Sequence, residues 1–279
     1  MRLFFLVALT MLAFAANSVL NRLALVDGAA GPAAFAALRL VSGAVVLAAL
    51  VAARGAMRWR PESAAGPLSL LAYVLGFSFA YVSLDAGIGA LILFGGVQVT
   101  MFVGALLRQE AVPPLRWAGA ALAFGGLVYL MWPSGAAAVP LGGASLMLLA
   151  ALGWGIYSLL GAGAADPLAT TARNFVWAVP LGVLPALFVW DGMSGAGALL
   201  AISSGAVTSG LGYALWYRVL PALPATVAAV AQLTVPVLAL LGGMVFLGEA
   251  ASWRFAVAAA MVLGGVALSL YRKSGSSAS

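Results

Sequence analysis

The sequence predicts an all-α integral membrane protein of ten transmembrane helices, laid out as two inverted five-helix repeats. Three observations carry this reading. Hydrophobic residues fill 65% of the 279 positions and charged residues only 7%, whereas a soluble domain carries about 25% charged residues. The apolar positions gather into ten runs, each near the roughly 20 residues that a helix needs to cross a bilayer. A faint copy of the first half also recurs in the second. Gly104, Glu110, Ala111, Ala120, Ala121, Gly125 and Gly126 return as Gly243, Glu249, Ala250, Ala259, Ala260, Gly264 and Gly265, at a constant offset of 139 residues.

Breaks at glycine, proline and charge place the spans at about 3–23, 32–53, 65–84, 87–107, 115–132, 141–161, 168–189, 195–217, 223–247 and 253–271. The first run is too long for the roughly 7–15-residue core of a signal peptide and contains Asn17, so it reads as a span. Several connections are only a few residues long, which makes neighbouring helices antiparallel hairpins. The break at 84–87 rests on Asp85 and Gly87, and the break at 217–223 on Arg218, Pro221 and Pro224.

Basic residues orient these spans, because cytoplasmic loops collect Lys and Arg. With the N-terminus inside, the inner face receives Arg2, Arg54, Arg58, Arg60, Arg108, Arg116, Arg173, Arg218, Arg272 and Lys273. The outer face receives Arg22 and Arg254, and Arg39 lies within a span. Both termini are therefore expected in the cytoplasm. Five spans per half is an odd number, so residues 136–273 must enter the membrane upside down relative to residues 1–135, leaving 274–279 as a short disordered tail. Inverted halves have two mirror-related conformations around one central site, the physical basis of alternating access in transporters.

The chain has no cysteine and no histidine. Thiol catalysis, Cys or His metal sites and His proton shuttles are excluded, and no cofactor or metal is expected. No Asp or Glu falls near mid-span, so paired carboxylates for an intramembrane enzyme or a dedicated proton relay are missing too. The net charge of +6 is scattered between apolar runs and reads as topology, with no nucleic-acid partner.

Polar groups inside hydrocarbon are costly and face the bundle interior, either bonding helix to helix or lining a cavity. Such groups are Asn17 and Ser18, Ser78, Gln98 and Thr100, Ser158, Asn174, and Gln232 and Thr234. The offset pairs Gln98 with Val237, so the halves have diverged at mid-membrane. Trp59, Trp117, Trp132, Trp190, Trp253 and Tyr271 fall at span ends, as interfacial belt residues do. Trp154, Tyr157 and Trp177 lie deeper. Tyr73, Phe77 and Tyr81 share a helix face at spacing four, and Tyr213 and Trp216 share one at spacing three. These rings either pack against neighbours or line a cavity suited to a flat or apolar ligand. Arg39 either snorkels to the interface or points inward as a charge for a substrate carboxylate. Asp85 and Glu110, at span ends, read as solvated or capping. Ser204, Gly205, Thr208 and Ser209 form overlapping small-xxx-small pairs, and so do Ala121 and Gly125; such pairs let helices approach closely. Pro180 and Pro236 mark kinks.

Several of these residues resemble the ten-helix EamA-type branch of the drug/metabolite transporter superfamily, over nearly the whole chain. Phe14-Ala15-Ala16-Asn17-Ser18 is similar to the family's aromatic–small–small–Asn opening, and Pro32 followed by Ala37-Leu38-Arg39 to its second helix. In the second half Trp154 to Ser158, Ala225-Thr226, Pro236, Gly248-Glu249 and Gly264-Gly265 match. The first half departs, with Gly96-Val97 in place of Leu-x-Pro and Arg108-Gln109-Glu110 in place of Gly-Glu. The resemblance implies a bacterial inner-membrane, multi-pass, non-enzymatic exporter working by alternating access, most similar to exporters of aromatic amino acids. Its implied partners are a small-molecule substrate (an amino acid or similar metabolite) and membrane lipid. The alternative it leaves is another small metabolite or a lipophilic drug on the same fold. The substrate contacts expected on this view are Asn17, Arg39, Phe77, Tyr81, Gln98, Trp154, Tyr157, Asn174, Trp177, Tyr213, Trp216 and Gln232.

Overall fold

A computed structural model describes residues 1–55, 63–109, 112–132, 138–161, 164–223 and 231–270. They form ten helices: α1 (Arg2–Val26), α2 (Pro32–Ala52), α3 (Ala65–Ala80), α4 (Ala86–Leu107), α5 (Pro114–Met131), α6 (Leu141–Gly161), α7 (Pro167–Phe188), α8 (Gly195–Ala222), α9 (Thr234–Leu247) and α10 (Trp253–Leu270). Seven are long and apolar enough to cross a membrane alone, and α3, α9 and α10 are shorter apolar helices. The sequence-derived positions Arg58, Trp59, Arg60, Glu110, Ala111, Pro224, Ala225, Thr226, Tyr271, Arg272, Lys273 and the tail 274–279 lie outside the described residues.

Local chemistry sets the helix ends. Pro32, Pro114 and Pro167 open α2, α5 and α7, where the missing N–H costs nothing. The Asp166 carboxylate accepts from Ala169 N at 3.1 Å, and the Ser194 hydroxyl accepts from Gly197 N at 3.0 Å. Gly248 closes α9 with φ 66°, the left-handed conformation that glycine adopts freely.

Close packing joins α5 to α10, α2 to α7, α3 to α6, α1 to α8 and α9, and α4 to α6 and α9. Glycine makes the tightest of these contacts. A Cβ on Gly119 of α5 would strike the carbonyl of Gly265 on α10, and one on Gly265 would strike that of Gly119. Two turns along, a Cβ on Gly126 would lie 3.1 Å from the carbonyl of Ala258.

Two details differ from the spans read in the sequence, whereas α4 keeps the extent read there. Helix α8 carries a nine-residue π-helical stretch, Ser203–Leu211. Helix α4 runs unbroken through Gly96-Val97. Helical residues 231–232 are followed by a turn at Leu233 and then by α9, whose third residue is Pro236. Pro180 and Pro185 sit within a continuous α7. The belt residues Trp117, Trp132, Trp190 and Trp253 are exposed.

The described parts of the connections α1–α2, α3–α4, α5–α6, α7–α8 and α9–α10 lie at one end of the bundle, opposite the N-terminus, linked by bonds such as Gly31 N to Gly192 O at 2.9 Å; we call it the distal end. Asp191 from the α7–α8 connection accepts from Ala33 N at 2.7 Å and Ala34 N at 3.0 Å, capping α2. Glu249, just past α9, accepts from Ala86 N at 2.9 and 3.0 Å, capping α4. Arg22 of α1 donates to Tyr81 O and Val82 O, each at 3.0 Å, and lies 3.5 Å from Glu249 and 3.6 Å from Asp85. Arg254 donates to Tyr129 O at 2.7 Å and to Trp132 O, closing the last turn of α5.

Candidate functional site

The polar side chains of α1, α2, α3 and α8 converge in the bundle interior. Asn17 is the hub. Its Nδ2 donates to the Tyr73 hydroxyl at 3.2 Å, and its Oδ1 accepts from Ser204 Oγ at 2.6 Å with Thr208 Oγ1 at 3.1 Å. One turn on, Asn21 Nδ2 donates to Ser204 Oγ at 3.2 Å, and its Oδ1 accepts from Ser78 Oγ at 3.2 Å. In the π stretch both Ser204 and Thr208 face Asn17 while Ser209 faces α2, so wide-pitch helix delivers three hydroxyls to one network.

Arg39 extends that network. It is fully buried, at 0% exposure, so it points inward and does not snorkel. Its Nη2 donates to the Tyr73 hydroxyl at 2.9 Å and its Nε to Ser209 Oγ at 3.4 Å. The guanidinium carbon lies 4.9 Å from the Phe77 ring centroid and 5.2 Å from that of Tyr73. Its Nη1 has no hydrogen-bond partner, and among the described residues no carboxylate forms an ion pair with it. A buried charge without a counter-charge costs several kcal/mol, and contact with two ring faces offsets only part of that.

Rings wall the space beside this network. Tyr73 and Phe77 of α3 and Tyr81 at its C-terminal end meet in sequence, tilted and then edge-to-face, with centroids 5.4 and 4.7 Å apart. Trp154 of α6 sits 4.9 Å from Tyr73, 5.1 Å from Tyr213 and 5.5 Å from Tyr157. Phe14 of α1 meets Tyr213 and Trp216 edge-on at 5.9 and 6.0 Å. Phe14, Asn17, Ser18, Tyr73, Phe77, Leu93, Phe94, Trp154, Thr208 and Tyr213 enclose a cavity of about 20 Å³, room for about one water molecule. The rings are therefore packed on one another in a closed arrangement.

Of the sequence-derived candidates, Asn17, Phe77, Trp154 and Tyr213 line the cavity. Arg39, Tyr81, Tyr157 and Trp216 contact its wall. Asn174 is buried beside Gly66 of α3. Gln98 and Gln232 are half-buried away from the cavity lining, and Trp177 is 48% exposed on the outside of α7.

Comparison with known proteins places this architecture. Residues 141–271 match the model of the EamA-like transporter family. An uncharacterized protein of Pseudomonas aeruginosa is 49% identical over 99% of this chain and 97% of its own length. An uncharacterized transporter of Archaeoglobus fulgidus is 24% identical over 84% of this chain and 87% of its own. The chain belongs to the EamA-like transporter family. It is thus a multi-pass membrane transporter of the drug/metabolite type. A crystal structure with 24% identity shares the fold at a TM-score of 0.64, covering 94% of this chain and 96% of that one.

Within this EamA-like bundle, five network residues were missed as site residues in the sequence. Tyr73, which bridges Asn17 and Arg39, was visible as the third ring of the Phe77–Tyr81 face. Asn21 lies four residues beyond Asn17, on the same face. The joint inward aim of Ser204, Thr208 and Ser209 depends on π geometry, for which the sequence carries no readable sign.

Proposed function

We propose that this transporter exports neutral amino acids, aromatic ones foremost, across a bacterial inner membrane, with both termini in the cytoplasm and the distal end facing out. The observation that carries the reading is Arg39, buried beside a ring of aromatic side chains with Nη1 unpartnered. A substrate carboxylate meeting that nitrogen and the Tyr73 hydroxyl would supply the missing counter-charge. A charge-assisted hydrogen bond is worth about 1.5–3 kcal/mol, enough to set substrate class. The flat side chain of an aromatic amino acid suits the faces of Phe77, Trp154 and Tyr213. A lipophilic cation would meet a buried like charge, which disfavours the drug alternative.

Alternating access about two inverted halves supports the same reading. Helices five apart in the chain pack on each other: α2 on α7, α4 on α9, and α5 on α10. The Gly119–Gly265 contact, shifted by the 139-residue offset, becomes Ala258–Gly126, which is also a contact. A two-fold relation between residues 1–135 and 136–273 accounts for both. The closed cavity is far too small for an amino acid, so substrate enters only as the halves part. The split of ten basic residues to two supports the orientation.

A thermal-shift panel on purified protein tests the substrate class. Tryptophan, phenylalanine and tyrosine raise Tm; lipophilic cations do not. A shift by cations alone would overturn the assignment.

A further inference from the structure

The distal end is tied by a repeated device. Asp191 and Glu249 both come from the second half of the chain, and each plugs the N-terminus of a first-half helix, α2 and α4 respectively. Arg22, on first-half α1, reaches across to Glu249 and also gathers the last carbonyls of the α3 segment. Glu249 is held tightly, with its side chain only 7% exposed. A carboxylate on a helix N-terminus satisfies N–H groups that otherwise need water, and it is favoured by the helix dipole. Both caps cross the seam along which the halves would have to separate.

We propose that Glu249, Asp191 and Arg22 form the outer gate of the transport cycle, holding the distal end shut until the halves separate. The device rests on the orientation and two-half arrangement proposed above, but not on the substrate. Opening this end withdraws each carboxylate from its helix and exposes the N–H groups of Ala33, Ala34 and Ala86 to water. At the opposite end, Arg108 Nη2 donates to Leu159 O at 3.2 Å.

The chain contains no cysteine, so a single introduced thiol reports access cleanly. Ser18→Cys places the probe in the cavity wall, and Gly195→Cys places a control on the exposed start of α8. A membrane-impermeant thiol reagent is applied outside intact spheroplasts. Gly195→Cys labels fast, which checks the orientation by itself. Ser18→Cys labels slowly, and adding Glu249→Ala or Asp191→Ala raises its rate about tenfold, as expected for loss of one charged cap. Arg22→Met in the Ser18→Cys background gives an independent variant with the same expected rise. Unchanged Ser18→Cys labelling in all three backgrounds, with Gly195→Cys still labelling fast, overturns the gate. Failure of Gly195→Cys to label overturns the orientation instead. No transported substrate is needed for either outcome.

Discussion

Arg39 shows how far single residues can be read. Its place as the only basic residue well inside a span was plain in the sequence, but snorkelling and inward aim are separated only by which face of α2 meets its neighbours. Tertiary packing put that face against Tyr73, Phe77 and Ser209. Trp177 is the converse: equally deep in the chain, it faces outward because α7 packs on α2 through its other side. Removing a partner-poor buried charge should not harm folding. Arg39→Gln is therefore expected to keep or raise Tm in detergent while weakening the apparent affinity for an amino acid by about 10–100-fold. A fall in Tm with unchanged affinity would make Arg39 structural.

Helices were the most legible elements, since hydropathy, proline starts and glycine stops are local. Helix α3, at 16 residues, spans only about 24 Å, yet its Tyr73–Phe77–Tyr81 face was evident. Which glycines touch another backbone was not legible, because every span carries small residues. Gly119 packs on the α10 backbone, whereas Gly264 has nothing near a Cβ. Gly119→Leu should cost about 1–3 kcal/mol or more by overpacking, read as a lower Tm, and Gly264→Leu should leave Tm nearly unchanged. An ideal Cβ at Gly242 of α9 stands 3.8 Å from Val19 Cβ of α1, a separation suited to a disulfide. The pair Val19→Cys and Gly242→Cys, one turn from the Arg22–Glu249 contact, should cross-link on oxidation and stop turnover until reduced; full activity when cross-linked would mean that α1 and α9 never part.

The gate also has a pH sign. Burial pushes the Glu249 carboxyl above its usual range; Ala86 N–H and Arg22 pull it back, and Asp85 adds to the rise. Arg22, Asp85 and the Tyr81 hydroxyl are the charged or titratable groups that face it. Opening returns the carboxyl to water and to its ordinary value, so the closed form binds the proton more tightly. A protonated carboxyl keeps an acceptor oxygen for Ala86 N–H. Acidification toward the ordinary carboxyl range therefore favours the closed distal end. Spin labels at positions 26 and 253 should show the shorter distance gaining population; a gain in the longer one would contradict this.

At the scale of the molecule, the bilayer made the fold legible, because every spanning segment must satisfy its own backbone and announce itself by composition. The repeat was legible only as scattered small residues. Its meaning came from packing, where Gly119–Gly265 and Gly126–Ala258 are the same contact seen from two halves. The site was half legible. Its rings and Asn17 stood out, but the network that joins them needed Tyr73 and a π-helical turn that no period in the sequence marks. As proposed, the bundle carries a zwitterion held by its carboxylate at Arg39 and by its ring among Phe77, Trp154 and Tyr213. Counterflow in proteoliposomes tests it most directly, with tryptophan inside and labelled tryptophan, phenylalanine, tyrosine or tryptamine outside. The three amino acids should accumulate and tryptamine, which lacks the carboxylate, should not. Accumulation of none of the three amino acids, or of tryptamine as readily as tryptophan, would contradict the account.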